Sequence, residues 1–171
     1  MELRLHLHHW ERREPDWLAA AVAGFAAGAV LMVLELSWAA LASSNGPWRI
    51  SQLVAALTLG PNTLQASPYS YDSGIVAVAL GTHYLLGVGF GVMLGFIIAG
   101  FHYDTSLVVM LLIGAAFSVL LYLFNFYVLT RAFPWFTELR GGKTVLAHLV
   151  LGIATALFYW KLARRGPDAK R

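Results

Sequence analysis

The chain has 171 residues, enough for one ordinary domain, but 58% of them are hydrophobic and only 12% charged, about half the charged share of a typical globular protein. With a mean hydropathy of +0.65 and a net charge of only +3, the composition excludes a disordered chain, a coiled coil and a nucleic-acid binder; the pI near 9.4 describes the tails and not a basic binding face. There are no cysteines, which removes disulfides, thiolate metal sites and thiol catalysis together.

Residues 1–16 form a polar tail that contains Leu5-His6-Leu7-His8-His9-Trp10. A short histidine-rich tract invites a metal, but in a cytoplasmic tail it reads as an interfacial strand or helix. The first apolar run, residues 17–42, is long enough to cross a hydrocarbon core. Ala40-Leu41-Ala42 imitates a signal-peptide cleavage site, yet the run is too long for a signal core and carries Glu35, so it is read as a retained helix.

Residues 43–73 form an outer loop that opens with Ser-Ser-Asn-Gly-Pro and closes with Ser67-Pro68-Tyr69-Ser70-Tyr71-Asp72. Between these lies an apolar stretch from Trp48 to Leu59, stopped by Gly60-Pro61, which is too short to span and predicts an interfacial helix. Three further spans are expected near residues 74–101, 105–130 and 144–162. Only His102, Tyr103 and Asp104 separate the second from the third, which predicts a tight hairpin there. Phe133-Pro134-Trp135-Phe136 in the second outer loop reads as a set of boundary anchors, and residues 163–171 form a basic tail.

An even number of spans puts both ends of the chain on one side. That side carries Arg4, Arg12, Arg13, Lys161, Arg164, Arg165, Lys170 and Arg171, against Arg49, Arg131, Arg140 and Lys143 on the other. Eight against four predicts both termini in the cytoplasm.

The two halves of the sequence resemble each other. GFAAGAVLMVLE, ending at Glu35, aligns with GAAFSVLLYLFN, ending at Asn125, so that Gly24 and Gly28 match Gly114 and Ser118. HYLLGVGFG from His83 aligns with HLVLGIATA from His148, matching Gly87 to Gly152 and Gly91 to Ala156. Two spans per half give a parallel repeat about an axis along the membrane normal. Residues four apart share a helical face, so Gly24 with Gly28, Gly87 with Gly91 and Gly95, and Gly114, Ser118 and Gly152 are expected at helix contacts. For the same reason GVGFGVMLG is a packing stripe and not a phosphate cradle.

Glu35 and Asn125 come late in outward-going helices, and His83 and His148 come early in inward-going ones. All four are therefore expected near one level in the outer half of the bilayer, with Tyr84, Tyr127 and Arg131 in the same region. Ionisable residues inside a membrane point to function by default. Glu35, His83 and His148 have the donor types for a metal ion; the two histidines suit a b-type haem; and the three together suit proton transfer. A hydrogen-bonded layer that only fixes helix register is the fourth reading.

In its span layout, in the run His83 to Gly91, in Phe133-Pro134-Trp135-Phe136 and in Ala147-His148-Leu149, the chain resembles the small four-span bacterial inner-membrane proteins of the YagU-like type. Some relatives of that class carry the label sodium:proline symporter, which suits far larger chains with broken helices around the ion. This sequence departs from the YagU-like pattern in its short cytoplasmic tail and its lack of cysteine. The resemblance implies a bacterial inner membrane and carries no catalytic residues with it.

The sequence thus predicts an all-α, polytopic membrane protein: four transmembrane helices arranged as two duplicated helical hairpins, with an interfacial helix in the first outer loop. Beyond the lipid bilayer, it is expected to meet other membrane subunits or copies of itself. It reads first as a non-catalytic accessory or stabilising subunit of a larger membrane complex, such as a respiratory one. The alternative is a small metal-, haem- or proton-handling protein built on Glu35, His83 and His148.

Overall fold

The computed structural model describes residues 14–42, 46–101, 103 and 106–163. The N-terminal histidine tract and the basic residues from Arg164 onward lie outside the described residues. All regular structure among the described residues is helical: α1 (Trp17–Ala42), α2 (Arg49–Leu59), α3 (Ser73–Gly100), α4 (Leu107–Leu123) and α5 (Gly142–Leu162). Four helical stretches are long and apolar enough to cross a membrane, the third running from Leu107 to Arg131. The protein is a multi-pass membrane protein by this criterion.

Local chemistry sets the helix ends. The Asp16 carboxylate accepts from the Ala19 amide at 3.0 Å, and Asp72 accepts from the Ile75 amide at 2.9 Å, so an aspartate satisfies a free N–H at the start of α1 and of α3. Helix α2 stops at Gly60, whose φ of +86° is one that a side chain would resist, and Pro61 follows.

The third span is not a uniform helix. Helix α4 gives way to a π-helical turn at Phe124–Val128 and then to a 3-10 turn at Leu129–Arg131. Asn125 sits in the π turn. Such turns widen the helix by one residue and leave a carbonyl in need of a donor. Here the Phe126 carbonyl accepts from Arg140 Nε at 2.6 Å and from Thr130 Oγ1 at 3.3 Å.

Helix α3 packs along α1, α4 along α5, and α1 along α5. The tight hairpin expected between the second and third spans is a short link only: α3 and α4 follow one another in sequence but barely touch. Each instead finds small residues on another helix. A Cβ on Gly24 would collide with the Gly87 carbonyl oxygen and come within 2.8 Å of Gly91 Cα. One on Gly114 would collide with the Gly152 carbonyl oxygen and reach Ala156 Cβ at 2.9 Å. At Gly95 it would meet Ala20 Cβ at 2.7 Å, and at Gly152 it would meet Ser118 Cβ at 2.6 Å. Helices in lipid gain contact by such backbone approach, because there is no water to drive them together. The α1–α5 contact uses Ala27 and Leu31 against Ala147 and Leu151, all buried.

The aligned glycines thus meet aligned partners within each pair, Gly24 with Gly87 and Gly114 with Gly152. The whole bundle departs from a two-fold arrangement, however. An axis relating the halves would map the close α1–α5 contact onto α3 and α4, which have little contact.

Helix α2 turns its apolar side into the bundle. Leu53 is 1% exposed and packs with Tyr122, Phe126 and Phe136 from the second half. The aromatic loop expected at the membrane boundary is folded inward with it: Phe136 is buried, and Trp135 Nε1 donates to the Leu53 carbonyl at 3.2 Å.

Candidate functional site

The four polar positions singled out in the spans, Glu35, His83, Asn125 and His148, all line one chamber of about 450 Å³. Its remaining wall is almost entirely apolar, with Ile50, Val54 and Leu57 from α2, Phe90 from α3 and Phe133 and Phe136 from the second outer loop. The volume lies within the range of pockets that take small organic ligands.

Each histidine has one ring nitrogen engaged. His83 Nε2 lies 2.9 Å from the Gly28 carbonyl oxygen, so the neutral ring carries its proton there and keeps Nδ1 as an acceptor. His148 Nδ1 lies 2.9 Å from the Thr144 carbonyl oxygen on its own helix, which leaves Nε2 as the acceptor. The matching histidines of the two halves therefore hold opposite tautomers. One stitches α3 to α1, whereas the other caps a carbonyl one turn back.

Glu35 and Asn125 make no side-chain hydrogen bond or ion pair among the described residues. No side-chain polar atom sealed in the described protein lacks a partner, so the polar ends of both open onto free space. Glu35 also lines two further spaces: a vestibule of about 300 Å³ and a cleft of about 40 Å³ beside Trp48 and Ser51. With Ile50, which borders all three, it marks the boundary between vestibule and chamber.

The vestibule brings together Arg49, Glu138, Arg140 and Lys143 with Glu35. Its cations are already engaged. Arg49 holds Glu138 through two bonds, Nη2 at 2.7 Å and Nε at 3.1 Å. The Arg140 guanidinium bonds the Phe126 carbonyl and Thr130 and lies 4.6 Å from the Tyr127 ring centroid. Lys143 Nζ lies 5.0 Å from the Trp38 ring centroid. Because the Arg49–Glu138 pair is partly exposed, breaking it should be mild. We expect a coupling of about 0.2–1 kcal/mol in a double-mutant cycle of Arg49→Ala and Glu138→Ala by thermal unfolding in detergent. A coupling near 3 kcal/mol would instead make the pair a principal lock on α2.

Tyr84, Tyr127 and Arg131, expected near the polar layer, do not line the chamber. Tyr84 stacks on Phe25 at 4.4 Å, and Arg131 ends the 3-10 turn. Among the described residues no three His, Asp or Glu side chains converge as metal donors, so Glu35, His83 and His148 share a wall without forming an assembled donor set. Sequence reasoning missed Arg140 and the Arg49–Glu138 pair. Their only signal is a charged residue in each outer loop, which ordinarily marks a solvated surface. No family model, curated protein or solved structure matches this chain.

Proposed function

We propose that this is a non-catalytic membrane protein that binds a small, largely apolar molecule in the chamber lined by Glu35, His83, Asn125 and His148. The observation that carries the reading is the convergence of these four scattered residues on one cavity with an otherwise apolar wall. Register alone would be served by side chains bonded to one another across helices. Glu35 and Asn125 are open to the cavity instead.

The Lys/Arg distribution supports both termini in the cytoplasm of a bacterial cell, with the chamber in the outer half of the inner membrane. Duplication of an ancestral hairpin accounts for the equivalent glycine contacts of α1 with α3 and α4 with α5. Glycine-rich faces, abundant aromatics, small loops and the lack of a soluble domain suit an accessory subunit. Of these, the glycine faces need no outside partner at Gly24, Gly87, Gly91, Gly114 and Gly152, which already meet other helices of the same chain.

Native mass spectrometry after purification in a mild detergent tests the proposal. The expected species is a monomer or small homo-oligomer that carries a non-covalent adduct. The adduct should be lost when Leu57→Trp fills the chamber. Recovery only within a large assembly with fixed partners would return the protein to the class of accessory subunits.

A further inference from the structure

We propose that the chamber selects a lipophilic cation, an ammonium or phosphonium centre carried on an apolar body, with Glu35 as its counter-charge. This inference rests on the chamber being a binding site and adds the chemistry of what it binds. Among the described residues Glu35 is the only acidic side chain that lines the chamber, and no lysine or arginine does. The cations of the vestibule, Arg49, Arg140 and Lys143, are engaged with Glu138, with the Phe126 carbonyl and Thr130, and with the Trp38 ring. A carboxylate facing an apolar space is costly to ionise without a partner, and among the described residues no side chain of the chamber bonds Glu35. A ligand that brings one positive charge completes the site electrically.

The rest of the wall fits the same ligand. Five phenylalanines, Phe90, Phe124, Phe126, Phe133 and Phe136, border the space. Aromatic faces are negative and attract a desolvated organic cation, which a hydrated metal ion or a small ammonium would not become in this setting. An anion would meet Glu35 and the same ring faces and be repelled by both. A neutral molecule would gain the apolar contact alone.

A proton and the ligand cation compete for the same two oxygens of Glu35, so binding weakens as pH falls. The other groups that face this carboxylate are His83 from α3, His148 and Lys143 from α5, Arg49 from α2, and Glu138 and Arg140 from the outer turn.

Tetraphenylphosphonium and tetraphenylborate have nearly the same shape and opposite charge, and equilibrium dialysis of each against the full chain in detergent separates the contributions. We expect the phosphonium to bind better than the borate. Glu35→Gln should weaken phosphonium binding by about tenfold or more, and Glu35→Asp should retain most of it. Thermal unfolding of the same samples establishes that the variants are folded. Borate binding equal to or tighter than phosphonium binding would overturn the charge inference and leave the chamber reading standing. Phosphonium binding unaffected by Glu35→Gln would do the same. Failure of both ions to bind, with no adduct in native mass spectrometry, would overturn the chamber reading itself.

Discussion

Gly24→Ala should destabilise the folded bundle by about 1–3 kcal/mol, and Gly91→Ala by a similar amount, in thermal unfolding of the detergent-solubilised protein. The new methyl at Gly24 has no space: it would overlap the Gly87 carbonyl oxygen, which is backbone and cannot rotate away. At Gly91 it would come within 2.6 Å of Gly24 Cα. The two helices would have to separate along their length, losing the close contacts that hold them in lipid. Gly28 and Gly89 are the controls. A Cβ at Gly28 would reach His83 Nε2 at 3.7 Å, an ordinary contact, and at Gly89 nothing lies within 4 Å. Gly89→Ala should therefore be neutral or stabilising by up to about 1 kcal/mol, because alanine is the better helix former. Equal losses at Gly24 and Gly89 would mean that these helices do not cross where the structure places them.

Arg140→Ala should cost about 1.5–3 kcal/mol, more than an exposed arginine ordinarily would. Its Nε is 2.6 Å from the carbonyl of Phe126, a buried residue in the π turn. Its Nη2 lies 3.0 Å from Thr130 Oγ1, and the guanidinium covers Tyr127. Truncation removes the charged donor to the Phe126 carbonyl, leaving Thr130 as its side-chain donor, and uncovers the Tyr127 ring. Arg140→Lys should recover only part of the loss, since an ammonium cannot reproduce the planar fork that serves both oxygens. Because the chain has no cysteine, Asn125→Cys in the two backgrounds gives a clean second readout by maleimide labelling. Labelling should speed up in Arg140→Ala as the turn loosens. Unchanged stability together with an unchanged labelling rate would show that the turn holds without its clamp.

The four spans were legible because apolar length is a strong signal in lipid, where only helices and closed barrels satisfy their own backbone. The chamber residues were legible for a related reason. Glu35, His83 and His148 are expensive inside a membrane, and their shared offsets placed them at one depth. What they would face was not legible, since depth fixes a level and not a direction. The orientation of α2 was hidden as well: a short apolar helix reads the same whether its apolar side meets lipid or protein, and Leu53 meets protein. The π turn has no mark in Phe124-Asn125-Phe126-Tyr127-Val128, and the side chain that bonds its Phe126 carbonyl, Arg140, lies fourteen residues on. A short link between α3 and α4 suggested that they would pack, yet the small residues that permit close approach lay on other helices.

The contact of α1 with α5 has a consequence for how the protein is made. Of the four spans, α1 is the earliest to be synthesised and α5 the latest. The side of α1 that carries Ala27 and Leu31 must therefore stay in lipid, or against the insertion machinery, while all the chain between is translated and inserted. Helix α3 can dock on α1 meanwhile, but the unit completes itself only when the final span arrives. Assembly of this bundle thus ends in a late closure, and a chain that stops before residue 142 would leave the Ala27 and Leu31 side of α1 without its α5 partner.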